Sequence, residues 1–145
     1  MSTVPARLSF VTLGARDFAR QRAFYLGLGW TPRVDLDDFV AFLVGGVVLA
    51  IYPLEKLTPE AAPGLRANGE WSGVALGCNV ATRDEVDGAW AAWVAAGATP
   101  LTEPVDREYG PRTGYVADPE GNRWEIAWAG GVEFDDRGAV TKFGD

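Results

Sequence analysis

The chain reads as an α+β fold built from two tandem βαβββ units, and three observations point there. The order of strand-like and helix-like runs occurs twice. Like positions in the two runs keep a constant spacing of 65 residues, Phe10 with Ala75 in the first strands and Tyr25 with Trp90 in the helices. The strand runs also alternate, with one uniformly apolar face and one mixed face. A repeat of this length marks a duplicated supersecondary unit. Within a single domain spanning 1–145, the first unit covers 6–53, a connector 54–72, the second unit 73–129 and a C-terminal tail 130–145.

Each element has its own signal. "RLSFVTLGA" is a β-rich run, and Asp17 then caps a helix, "DFARQRAFYLGLG". Phe18, Ala19, Arg22, Phe24, Tyr25 and Leu28 form its partial apolar stripe, and Gly27 with Gly29 ends it. The strands "WTPRVDL", "FVAFLVG" and "VVLAIYP" follow, with a hairpin turn at Gly45-Gly46. The connector is polar and contains prolines, with room for a helical turn. "SGVALGCNVA" opens the second unit. In "TRDEVDGAWAAWVAAG" Thr82 and Glu85 stand at capping-box spacing, and Val86, Ala89, Trp90, Trp93 and Val94 recur at helical spacing. "TPLTEPV", "TGYVADP" and "RWEIAWA" complete the unit, and the tail carries a hairpin signal at Asp136-Arg137-Gly138.

The faces differ in chemistry. One carries Val11, Leu13, Val47, Leu49, Ile51, Val74, Leu76, Cys78, Val80, Trp124, Ile126 and Trp128 and must pack on the helices. The other carries Phe10, Thr12, Val48, Ala50, Tyr52, Ala75, Gly77, Asn79, Arg123, Glu125 and Ala127. A core is not built from that second set, because each buried polar group needs a partner. It suits the lining of a cleft. Trp30 and Trp71 are free to rim a pocket, and Phe10, Tyr52, Tyr109 and Tyr115 are candidates for stacking on a ligand. "DREYGPRTGYVADP" is read as a loop whose Arg112 and Tyr115 project near the cleft mouth. The Asp118-Pro119-Glu120-Gly121 stretch is a structural turn, with Pro second and Gly ending it.

Composition narrows the function classes. The 145 residues are 48% apolar and 23% charged, enough for one domain with a real core. A formal net charge of −7 opposes binding to nucleic acid or an anionic membrane, and favours a neutral or cationic ligand. No window approaches the roughly 18 apolar residues of a membrane span, and no export signal is visible, so a cytoplasmic location is expected. Cys78 is the single cysteine, in an apolar strand with no basic neighbour, and reads as a small hydrophobe. There is no histidine, which removes Ser–His and Cys–His nucleophile pairs and leaves only oxygen ligands for any metal.

"TLGARDFARQRAFYLGLGW" together with "YVADPEGNRWEIAW" resembles the vicinal oxygen chelate superfamily of glyoxalases, bleomycin-resistance proteins and extradiol dioxygenases. The resemblance spans roughly residues 7–129 and implies one curved mixed sheet around a central cleft, with helices on the outer face. In the metal-using members the first and fourth strands of each unit supply the ligands. Carried onto this chain, those positions are Phe10, Ala50, Ala75 and Glu125, and only the last keeps a donor. The expectation is therefore no metal and no other cofactor. The pattern is similar to the antibiotic-binding branch, whose proteins are often dimeric, so a homodimer is implied.

The expected function is metal-independent binding of a small molecule, an aromatic, neutral or cationic natural product, for sequestration or carriage. Candidate ligand-binding residues are Phe10, Ala50, Tyr52, Ala75, Asn79, Tyr109, Arg112, Tyr115, Arg123 and Glu125. The alternative is a lyase, isomerase or cyclase of the same fold with Glu125 as general acid or base. A third reading has Glu125 purely structural, accepting from Asn79, Tyr52 or Arg123.

Overall fold

The computed structural model describes residue 4 and residues 6–67 and 69–144, so Asn68 of the connector and Asp145 of the tail lie outside the described residues. Strand β1 (Phe10–Ala15) leads into helix α1 (Phe18–Gly27), then β2 (Val34–Leu36), β3 (Phe39–Val44) and β4 (Val47–Pro53). Helix α2 (Leu54–Ala61) opens the connector. The second unit is β5 (Ala75–Asn79), α3 (Glu85–Ala95), β6 (Thr99–Asp106), β7 (Arg112–Ala117) and β8 (Arg123–Trp128). The tail forms a small ribbon, β9 (Glu133–Phe134) with β10 (Val140–Lys142).

The strands make two four-stranded mixed sheets of the same topology, β1-β4-β3-β2 and β5-β8-β7-β6. In each, the first strand runs parallel to the fourth and the remaining pairs are antiparallel. No strand pairing joins β1 to β5 among the described residues, so a seam separates the sheets. None of the described helices is long and apolar enough to cross a membrane.

Most of the expected apolar face is the core, but Val74 is 58% exposed and Trp128 lies beneath the Arg83 guanidinium outside the central cluster. Leu49, Ile51, Trp124 and Ile126 are buried, and Val11, Leu13, Leu76 and Cys78 pack against them. Tyr25, Trp30, Trp93 and Trp124 come from both units and stack within one cluster, with ring centroids 4.9–6.3 Å apart in the contacting pairs. The two units therefore share one core, and Trp30 belongs to it rather than to a pocket rim. Burial pushes the Cys78 thiol up, in keeping with a quiet hydrophobe.

Two helix details differ from the sequence reading. On α1 the buried residues are Gln21, Phe24 and Tyr25, while Ala19 is exposed, because Gln21 lies one turn before Tyr25 on the inner face. Thr82 does not cap α3; Asp84 is the N-cap, without a side-chain bond. Glu85 instead turns back so that its carboxylate accepts from the Ala81 backbone N–H at 3.1 Å, with the Thr82 carbonyl taking the Glu85 N–H. Asp17 behaves as expected, accepting from Arg20 N–H at 3.1 Å.

The turn at Asp118 fastens the two units together. Its carboxylate is 2% exposed and accepts from Gln21 Nε2 at 2.8 Å, Tyr25 Oη at 2.7 Å and Asn122 Nδ2 at 2.9 Å. Trp124 Nε1 donates in turn to Tyr25 Oη. Burial, then the Asp118 charge, holds the Tyr25 hydroxyl well above its ordinary range. Two positions on, Glu120 accepts the backbone N–H groups of Arg16 and Asp17 at 2.8 and 3.0 Å. A buried carboxylate is tolerable only with such complete solvation by donors. The corresponding turn of the first unit, Gly45-Gly46, has no such device. The tail ribbon covers it, with Gly138 O 3.1 Å from where a Cβ of Gly45 would stand.

Candidate functional site

The inner faces of the two sheets form the candidate cleft. Strand register places Gly77, Glu125 and Tyr115 side by side across β5, β8 and β7, with Asn79, Ala127 and Thr113 as the next row. Gly77 carries no side chain, which leaves one flank of Glu125 open. On the other flank Tyr115 Oη donates to Glu125 Oε2 at 2.6 Å. That bond, then partial burial and the carboxylate charge, pushes the Tyr115 hydroxyl up to about 12. Both side chains are half-buried. Arg107 Nε donates to Thr113 Oγ1 at 2.7 Å, and Arg107 and Tyr109 are near enough for their charges to act on Tyr115.

The opposing half belongs to the first unit. The rows there run Phe10, Val48 and Leu43, then Thr12, Ala50, Ala41 and Val34. Tyr52 packs edge-on against Phe39 with centroids 6.1 Å apart, and Leu36 lies beside Phe39. Phe10 and Leu36 are 58% and 59% exposed, while Ala50 is fully buried beneath its neighbours. This half is an apolar platform; the other is a polar wall.

The structure rearranges the sequence-derived set. The partner of Glu125 is Tyr115, whereas Asn79, Tyr52 and Arg123 make no hydrogen bond to it. Arg123 donates to Gly121 O at 3.1 Å and turns toward the seam. Arg112 is three residues from Tyr115, so alternation puts it on the outer face, where it forks onto Asp87 of α3 and approaches Asp106. It does not project at the cleft mouth. Tyr109 is 79% exposed in the β6–β7 turn, which Arg83 clasps through Gly110 O while its guanidinium lies over Trp128. Ala75 is exposed at the open end of β5. Arg107 and Thr113 were missed, although period-two spacing from Tyr115 was enough to find Thr113.

A cavity of about 640 Å³ occupies the seam between the free edges of β1 and β5 and borders the cleft at Thr12. Thr12, Gly14, Arg16, Arg66, Trp71 and Arg123 are among its walls, and none of Phe10, Ala50, Ala75 or Glu125 is.

Residues 7–126 match the family model of the glyoxalase/bleomycin resistance protein/dioxygenase superfamily. A glyoxalase-related enzyme from Fulvimarina pelagi is 30% identical over 97% of this chain and 100% of that one, with a TM-score of 0.87. A glyoxalase/bleomycin resistance protein/dioxygenase family enzyme from Burkholderia phytofirmans is 25% identical over 85% of this chain and 98% of that one, with a TM-score of 0.70. A lactoylglutathione lyase from Agrobacterium tumefaciens shares the fold, at 21% identity over 87% and 96% of the two chains and a TM-score of 0.67. No curated protein matches the chain.

The donor set does not fit the divalent ion used by metal-dependent proteins of this architecture. Phe10, Ala50 and Ala75 offer no donor atom, and Glu125 is engaged by Tyr115. Among the described residues no three His, Cys, Asp or Glu side chains come together as a ligand group. A lone carboxylate leaves most of a cation's coordination to water.

Proposed function

Because the chain belongs to the glyoxalase/bleomycin resistance protein/dioxygenase superfamily, we propose that it binds a small aromatic molecule in the cleft without a metal. The observation that carries this reading is the replacement of three donor positions by Phe10, Ala50 and Ala75, with the fourth held by Tyr115 at 2.6 Å. The first unit supplies the flat apolar surface: Phe10, Phe39 and Tyr52 stack on rings above the buried Ala41 and Ala50. The second unit supplies direction. Glu125 keeps an acceptor oxygen on its Gly77 flank for a hydroxyl or a cation. The function is sequestration or carriage, in the cytoplasm. The exposed apolar surface at Phe10, Val34, Leu36 and Leu43 supports a homodimer in which a second copy helps to cover the bound molecule.

Titration with a panel of planar aromatic compounds tests this. Saturable quenching of tryptophan and tyrosine fluorescence at one ligand per site, with the compound recovered unchanged, is the expected result. Light scattering should report twice the chain mass. Stoichiometric zinc, nickel or iron surviving dialysis would sink the proposal.

The Tyr115–Glu125 bond favours one second reading, a lyase, isomerase or cyclase in which Glu125 moves a proton. The Tyr115 hydroxyl stays protonated at neutral pH and its proton holds the Glu125 carboxylate in place, so that the free oxygen of Glu125 can act as the base. Under that reading Glu125→Gln abolishes turnover and leaves binding largely intact. Under the sequestration reading there is no turnover to abolish.

A further inference from the structure

The seam cavity is a second site, and we infer that it takes a small organic acid, with the carboxylate held by Arg66 and Arg123. Its walls carry Arg16, Arg66 and Arg123 against Glu70 and Glu120, a local excess of positive charge in a chain of formal net charge −7. Glu120 is committed to the backbone N–H groups of Arg16 and Asp17, which offsets part of its negative field. Arg16 is committed too, since its Nη2 donates to Ala67 O at 3.3 Å and ties the connector across the seam. Arg123 spends one N–H on Gly121 O, and Arg66 makes no side-chain hydrogen bond or ion pair among the described residues. These two guanidiniums retain N–H donors and both residues line one half-open cavity, an arrangement suited to a carboxylate.

The apolar side of the ligand is also provided for. A second cavity of about 570 Å³ shares Arg16, Leu54, Arg66 and Ala67 with the first and adds Phe18, Pro53 and Leu65. Trp71 stands at the seam, 59% exposed, with its Nε1 donating to Val74 O and its ring edge left for contact. An acid group at Arg66 and Arg123 thus lies next to both an indole and an aliphatic groove. This site is chemically opposite to the cleft, which prefers neutral or cationic molecules, and it shares no residue with the Tyr115–Glu125 pair.

The test is calorimetric titration of the intact protein with benzoate, phenyl phosphate and benzamide. Saturable benzoate binding that depends on Arg66 and Arg123 is the expected result. Any benzamide binding belongs to the cleft and should be indifferent to both, and phenyl phosphate should bind more weakly than benzoate. Arg66→Met and Arg123→Met should each weaken benzoate by about tenfold, the loss of one charge-assisted hydrogen bond. Arg137→Met, in the exposed tail turn, should leave the affinity unchanged. Circular dichroism confirms that each variant is folded. No binding of benzoate overturns the proposal, as does an equal loss of benzoate and benzamide in the seam variants. Unaltered benzoate affinity in both seam variants, or an equal loss in Arg137→Met, also overturns it. Tighter binding of phenyl phosphate than of benzoate would overturn the carboxylate assignment in favour of a phosphate.

Discussion

The two units share a backbone plan and differ in what they expose. In the first, Thr12 faces Ala50; in the second, Gly77 faces Glu125, at the same place in the β-sheet. The outer faces stay alike, Leu49 and Ile51 answering to Trp124 and Ile126, all buried. The inner faces have diverged into an apolar platform and a polar wall. Burial explains the contrast: a core face must stay apolar to stay folded, whereas half-exposed inner positions such as Tyr115 and Glu125 can change chemistry at small cost, and the fully buried Ala50 stays small and apolar. The turns diverge in parallel. A solvated carboxylate locks the β7–β8 turn to the other unit, while a tail ribbon covers the glycines of the β3–β4 turn.

The largest effect should come from removing that lock. Asp118→Ala strands the donors of Gln21, Tyr25 and Asn122 in a buried site, and should cost about 3–5 kcal/mol in urea unfolding. A loss below about 1 kcal/mol would mean that the shared core alone holds the units together.

Exchanging the inner-face chemistry tests the asymmetry itself. Ala50→Glu puts a charge at a fully buried position with no partner and should cost about 3 kcal/mol or more. Glu125→Ala removes one hydrogen bond from a half-buried site and should cost about 1 kcal/mol. Similar thermal shifts for the two variants would show that the positions are not distinguished by burial. Smaller again is Asp17→Ala, which removes one N-cap from α1 at about 1 kcal/mol or less.

The last prediction concerns pH. The Tyr115 hydroxyl titrates at about 12 in the fold against 10.0 ordinarily, so the folded state holds that proton more tightly. Its contribution to stability is complete below pH 10 and is lost as pH rises toward about 12. Phenolate absorbance should show Tyr25 and Tyr115 ionising late among the four tyrosines. Glu125→Gln should bring Tyr115 back toward its ordinary value and leave Tyr25 high. An unchanged late fraction in Glu125→Gln would remove the hydrogen bond as the cause.

Much of this was legible in the chain. Period-two alternation separated the two faces, because successive strand residues must point opposite ways. The Asp-Pro-Glu-Gly turn was readable from its dihedral requirements, and Gly121 has φ +88° there. The partners of the polar residues were not readable. Glu125 could have reached Asn79, Tyr52 or Arg123, and the choice of Tyr115 depends on β7 lying beside β8 in a particular register. Arg112 was misplaced because its role was inferred from nearness in sequence to Tyr115 rather than from the parity of the strand.

By itself, then, the sequence determined the duplicated βαβββ plan and the apolar face, since each follows from local periodicity, while the three missing donors are read from residue identity only against the resemblance to the superfamily. Only the tertiary structure decided that Tyr115 holds Glu125, that Asp118 ties one unit to the other, and that Arg66 and Arg123 line one cavity at the seam. Those depend on strands and a connector far apart in the chain being brought side by side, and no local pattern encodes that placement.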